Sequence, residues 1–144
     1  MEKNIIFNNL IAIYRPYTKL FQPIFEEFDL YPAQWLVFKD IAYNAPTTLV
    51  QISKRRAIEK PTTRKILKVL SEKSLLSIEP GIDKREKLLA LSKEGQLLYN
   101  NISTRVDKVQ DQLIEDTGLS EGDLKQAVKT IQSIHEAITK MEEG

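Results

Sequence analysis

Apolar residues recur at steps of three and four along most of this 144-residue chain, and one short stretch breaks the period. Over residues 6–28 they fall at Ile6, Leu10, Ile13, Tyr17, Leu20, Ile24 and Phe28, one face of a helix. Further on, Leu98, Ile102, Val106, Val109 and Leu113 repeat the pattern, and so do Leu124, Val128, Ile131, Ile134 and Ile138. Between these stretches, residues 75–78 and 87–91 read as short strands around Pro80-Gly81, a hairpin with a charged tip. A chain that is helical, turns once into a two-stranded ribbon and returns to helix is held to mainly α folds carrying one hairpin.

The punctuation divides the pattern further. Pro16 and Pro23 fall inside the first stretch, where each removes a backbone donor, so a bent or broken helix is expected. Pro32 restarts the chain, and residues 33–43 read as a short helix packing Trp35, Val37, Phe38 and Ile41, stopped by Asn44-Ala45-Pro46. Thr47 and Thr48 precede a third helix over residues 49–56, with Leu49 and Ile52 inward and Val50 as a further candidate. A tight turn at Ala57-Ile58-Glu59 leads to a fourth, over residues 60–73, whose inward stripe is Thr63, Ile66, Leu67 and Leu70. Two short helices joined by a tight turn, the second basic on its outer face, are a helix-turn-helix candidate, and the hairpin after them reads as a wing. The wing's second strand has a rival reading, since Ala90 and Leu91 alone could start a helix. Ser92 is a candidate N-cap for a helix running to about Asp116, and Ser120 opens the last helix with Asp123 imperfectly replacing the Glu or Gln of a capping box.

Charge gives the centre of the chain a direction. The formal net charge of +1 conceals segregation: residues 54–87 hold 11 basic and 5 acidic groups, a net of +6, whereas residues 1–53 carry −1 and residues 88–144 carry −4. A basic centre between acidic arms is the footprint of a polyanion-binding module, although charge alone fits a solvated surface equally well. Major-groove readout needs a helix that exposes donors, with phosphate anchors beside it. Arg64 is the candidate for a bidentate guanine contact or, failing that, a phosphate contact, with Thr62 and Lys65 in the same first turns. Lys60 and Lys68 are candidate phosphate anchors, as are Lys54, Arg55 and Arg56 at the end of the third helix. Pro61 suits a first turn, where the amide it lacks has no helical partner. In the wing, Arg85 can reach the narrow minor groove, Asp83 is expected to hold it by a salt bridge across the turn, and Lys84 and Lys87 add charge. The plain alternative is an exposed ion pair worth about 0–1 kcal/mol. One recognition helix covers few base pairs, so specificity needs a second copy about one DNA turn, ~34 Å, away. Ile5, Phe7, Leu10, Val128, Ile131, Ile134 and Ile138 are candidates for an intersubunit core, against burial within their own chain.

Other chemistries find no support. Without cysteine there is no disulfide, thiol sensor, cysteine nucleophile or thiolate metal site. The five glycines form no phosphate loop, and His135 has no second His or Cys, so neither a cofactor, a metal nor catalysis is expected. The longest apolar run, Leu10 to Tyr14, is far short of the roughly 18 residues of a membrane span, and Met1-Glu2-Lys3-Asn4 does not read as a signal peptide. A cytoplasmic protein without a membrane partner is the expectation. Tyr14, Tyr17, Tyr31, Trp35 and Tyr43 cluster in the first two helices and could line an effector pocket, though aromatics at this spacing are more often core.

Three segments carry a family pattern: Leu30-Tyr31-Pro32-Ala33-Gln34-Trp35, Ile58-Glu59-Lys60-Pro61-Thr62-Thr63-Arg64 and Leu70-Ser71-Glu72-Lys73-Ser74-Leu75-Leu76. To these is added Asp83-Lys84-Arg85, followed after six residues by Ser92-Lys93-Glu94-Gly95. With these the chain resembles the MarR (multiple antibiotic resistance regulator) family of bacterial transcription factors over nearly its whole length. The resemblance implies a winged helix-turn-helix DNA-binding domain over residues 31–99, on a helical dimerisation region formed by residues 1–30 and 100–144. It also implies a homodimer on a pseudo-palindromic operator in double-stranded DNA, usually repressing transcription. In many members a small, often phenolic or anionic, ligand bound between the two domains releases the DNA, so a small aromatic or anionic effector is a candidate partner. Two departures stand out: Ser74 replaces a frequent glycine, and Ile78 replaces a frequent arginine. A winged-helix protein-interaction module and a nonspecific nucleoid-type DNA binder remain as alternatives.

Overall fold

Helix α1 (Lys3–Glu27) is followed by α2 (Pro32–Asn44), α3 (Leu49–Arg56) and α4 (Lys60–Glu72). The antiparallel hairpin of β1 (Leu76–Pro80) and β2 (Lys87–Leu91) comes next, then α5 (Lys93–Thr117) and α6 (Glu121–Glu143). The computed structural model describes residues 2–83 and 85–144. The architecture is the mainly α winged helix that the periodicity dictates. Lys87 to Leu91 pair with Pro80 to Leu76, which settles the second strand as a strand. Two compact units divide the chain, Met1–Asp107 and Lys108–Gly144, with the boundary inside α5.

The core of the first unit is built around α2, whose Val37, Phe38 and Ile41 are wholly buried. Phe21, Ile24 and Phe25 of α1, Ile52 of α3, Ile66 and Leu70 of α4, Leu89 of β2 and Ile102 of α5 complete it. Each large apolar side chain taken from water stabilises the fold by about 1.5–3 kcal/mol. Trp35 stacks on Tyr99 of α5 at a centroid distance of 5.5 Å, and Phe25 lies 5.7 Å from Trp35, so one line of rings joins α1, α2 and α5. Arg105 adds a cation–π contact to Phe28 and an ion pair with Glu27.

The two prolines of α1 do not break it. Pro16 and Pro23 lie inside one continuous helix, and both are exposed. The carbonyls that would have accepted their missing amides belong to Ala12 and Lys19, also on the exposed side, where solvent can satisfy them.

Local chemistry fixes the other boundaries. Thr48 and Gln51 form a reciprocal capping box at the start of α3, and Ala57 ends that helix in the left-handed region at φ 53°. Ser74 is also left-handed, at φ 63°, so a residue with a Cβ occupies a conformation that suits glycine. Ser92 steadies this corner: its hydroxyl donates to the Ser74 carbonyl at 2.7 Å and accepts the Gly95 amide at 2.9 Å, capping α5. Gly95 is required, because any Cβ there would overlap the Leu75 carbonyl.

In the second unit, Ser120 and Asp123 complete a reciprocal box despite the shorter acid, with bonds of 3.1 and 3.2 Å. Helix α6 buries none of its residues. Val128, Ile131 and Ile138 remain about half exposed, and Ile5 and Phe7 of α1 in the first unit are similarly uncovered. No helix among the described residues is long and apolar enough to cross a membrane.

Candidate nucleic-acid interface

The helix-turn-helix is clamped by hydroxyls as well as by apolar packing. Buried Ser53 donates to the hydroxyl of fully buried Thr63 at 2.8 Å, and Thr63 donates to the Glu59 carbonyl at 3.3 Å. With Ile52, Ile66 and Leu70 inward, the other side of α4 is free: Lys60, Pro61, Thr62, Arg64, Lys65 and Lys68 are all exposed. These six expected site residues therefore share one helix and one solvent face.

The wing is anchored at both ends. Thr47 exchanges two backbone hydrogen bonds with Leu89, at 3.1 and 2.7 Å, so the residue before the α3 cap adds a bridge to β2. At the tip, Gly81 donates to the Glu86 carbonyl at 2.9 Å and Glu86 donates to that of Asp83 at 2.8 Å. The expected salt bridge from Asp83 to Arg85 is not the bond that forms. The Asp83 carboxylate accepts the Arg85 backbone amide at 3.0 Å, and no ion pair joins the two among the described residues. A short acid two residues before an amide closes a tight local turn more readily than it meets a long flexible guanidinium. Asp83 thus shapes the tip and leaves Arg85 exposed. Lys87 is exposed at the start of β2, next to the tip, and Lys84 lies outside the described residues. Ile82, which the sequence reading did not single out, is fully exposed at the tip.

A groove of about 670 Å³ separates the helix pair from the wing. Lys60, Arg64, Lys68, Arg85 and Lys87 line it together with Glu72 and Glu86, so cations outnumber acids five to two. Val50, Leu67, Ile78 and Leu89 supply apolar wall. The helix and wing thereby present their positive charge to one cleft.

The three cations at the end of α3 differ in their surroundings. Lys54 is exposed. Arg55 instead bonds to Asp40 of α2, with three contacts of 2.8 to 3.1 Å, and to the Thr47 hydroxyl at 2.6 Å. Arg56 lies 3.8 Å from the same carboxylate. Asp40 is only 5% exposed, and the sequence reading missed it. An acid within an apolar stripe, with an Arg pair fifteen residues later, was the available signal.

Of the five aromatic effector candidates, Trp35 is buried and Tyr17 packs edge-on against Phe21. Tyr14, Tyr31 and Tyr43 are largely exposed. Tyr43 approaches Tyr99, a ring absent from the predicted set, at 6.3 Å, and Lys39 lies over the Tyr43 ring. Burial, and then a hydrogen bond with Tyr43, raise the pKa of Tyr99 above its ordinary value near 10. His135 is exposed.

No family model matches the chain. Among known proteins, an uncharacterized HTH-type transcriptional regulator of Staphylococcus aureus is 44% identical over 135 residues, 93% of this chain and 92% of that protein. The solved structure of native Staphylococcus aureus MarR is 43% identical, with a TM-score of 0.90, covering 97% of this chain and 99% of that one. The same protein in complex with salicylate and kanamycin matches at 43% identity and a TM-score of 0.87, over 95% of this chain and 92% of that one.

Proposed function

From the fact that this chain belongs to the MarR family of HTH-type transcriptional regulators, we propose that it is a repressor binding a pseudo-palindromic operator as a homodimer. The observation that carries the reading is the convergence of exposed α4 cations and wing cations on one groove. Arg64, Thr62 and Lys65 face base edges in the major groove, Lys54, Lys60 and Lys68 neutralise phosphates, and Arg85 enters the minor groove with Lys87 beside it. The acidic flanks limit indiscriminate binding and leave affinity to this face. Dimerisation is supported by α6, which buries nothing in the single chain while carrying Val128, Ile131 and Ile138 on one face.

A mobility shift on the DNA upstream of the protein's own gene, with heparin as competitor, tests the reading. A sequence-dependent complex that survives heparin is expected; binding indifferent to DNA sequence would contradict it. Arg85→Ala should weaken binding to every DNA sequence and lower the slope of log affinity against log salt by about one. An unchanged slope would remove Arg85 from the interface.

Release by a small aromatic anion belongs to the same proposal, because the similar Staphylococcus aureus protein is known in complex with salicylate. Apolar Leu67 and Ile78 beside Arg64 and Arg85 offer the mixed chemistry that such an anion needs. Salicylate should dissociate the complex in a concentration-dependent way, whereas an uncharged benzyl alcohol should not.

A further inference from the structure

The contacts of Arg55 reach three elements at once. Its Nε donates to both Asp40 carboxylate oxygens at 3.1 Å, and its Nη2 donates to Oδ2 at 2.8 Å and to Thr47 Oγ1 at 2.6 Å. The Thr47 hydroxyl in turn donates to Gln51 Oε1 at 3.0 Å, and the same oxygen accepts the Thr48 amide at 3.1 Å. Through its backbone Thr47 holds Leu89 of the wing from both sides. Asp40 and Thr47 are buried, and the Arg55 side chain is 34% exposed. One guanidinium therefore ties α2, the capping corner of α3 and the residue from which β2 hangs.

We propose that Arg55 is a positioning residue and not a phosphate anchor: gripped by Asp40, it holds Thr47, and with Thr47 the wing, in fixed register with the α3–α4 pair. A buried carboxylate needs a charged, well-aligned partner, and the planar fork of arginine meets a carboxylate and a hydroxyl together. Lysine, a point charge on a flexible stem, cannot satisfy both sites in the same geometry. The wing also packs on α2 and α4, so this corner sets its register, and loosening it leaves α4 intact while the wing loses its aim. The inference rests on the DNA-binding reading above and adds how the two reading elements are kept aligned.

The full-length chain is tested on DNA recovered by selection from a random pool. Salt-dependent affinity is measured with two footprints: dimethyl sulfate for guanine N7 in the major groove and hydroxyl radical for the minor groove. Arg55→Gln and Asp40→Asn should each weaken binding about five- to 150-fold, the range of energetic coupling between sites. The salt slope should stay unchanged, minor-groove protection should fade and guanine protection should persist. Arg55→Lys should not rescue. A slope lowered by about one in Arg55→Gln, with Asp40→Asn unaffected, would make Arg55 an ordinary phosphate anchor and overturn the proposal. If the charge variants fail to fold by circular dichroism, Thr47→Val decides: it should blur the wing footprint in a folded protein, and two intact footprints would overturn the proposal. Absence of any wild-type footprint would instead overturn the DNA-binding reading, and this inference with it.

Discussion

Residues 47–91 and helix α6 differ in what they leave without a partner. In the helix-turn-helix and wing, buried polar groups are matched inside the chain: Ser53 with Thr63, Thr47 with Gln51 and Arg55, Asp40 with Arg55. The cations of α4 and the wing stay exposed there, beside uncovered Val50 and Ile82. In α6 the ends are capped and the polar groups are solvated, yet the apolar stripe of Val128, Ile131 and Ile138 stays about half exposed. The first region is structurally complete and open toward a polyanion. The second is complete only as a helix, and isolated helices rarely hold without an apolar face packed on something. On the proposed reading the two regions have different partners, DNA for one and a second copy of the chain for the other.

Ile131→Asp strikes this contrast hardest. A carboxylate in an apolar interface costs several kcal/mol unless it finds a partner. Sedimentation at micromolar concentration should show monomer, and operator affinity should fall by at least ~100-fold, about 2.7 kcal/mol. A dimer that tolerates the substitution would mean that α6 is finished by some other surface.

Thr63→Val tests the opposite claim, that the helix-turn-helix is self-sufficient. It strips the buried Ser53 hydroxyl of its acceptor, and thermal or urea unfolding should show a loss of about 1–3 kcal/mol. Subunit association should not change. Ser74→Gly is a smaller test with the opposite sign. Relieving a left-handed serine should stabilise the protein by about 1 kcal/mol, read as a higher urea midpoint at constant slope.

The pH dependence is smallest. Tyr99 holds its proton more tightly in the folded protein than in the unfolded chain. The unfolded state thus loses that proton first as pH rises, and stability contributed by Tyr99 is full below its ordinary value near 10 and declines above it. Urea unfolding of the native protein should steepen its loss of stability in that window, and Tyr99→Phe should flatten it. Equal profiles would leave Tyr99 without a role in the alkaline limit.

Periodicity revealed most of the fold because each helix carries its burial on one stripe. The stretch over residues 49–56 coincides with α3, and of the expected α4 stripe Thr63, Ile66 and Leu70 are buried while Leu67 is half-buried at the groove. Of the bent or broken helix expected at Pro16 and Pro23, the break does not occur: local rules assign a cost to a missing amide without knowing that the freed carbonyls face outward. Strand β1 starts one residue later and ends two residues later than expected, since Pro80 is tolerated at the end of an edge strand. At the interface, the exposed cations of α4 were legible from composition and phase. Arg55 was not separable from Lys54 and Arg56, because its partner lies fifteen residues away and only packing brings Asp40 beneath it. A still longer separation from Trp35 and Tyr43 hid Tyr99 from a reading that grouped aromatics by neighbourhood in sequence.

The central claim is that a completed basic face on each of two chains reads one DNA duplex in a symmetric way. Selection of bound DNA from a random pool, followed by sequencing, measures this directly. The account predicts an inverted repeat whose half-sites are centred about one helical turn apart, ~34 Å along the duplex. Recovery of a single unrepeated half-site, or of no enriched sequence at all, would contradict it.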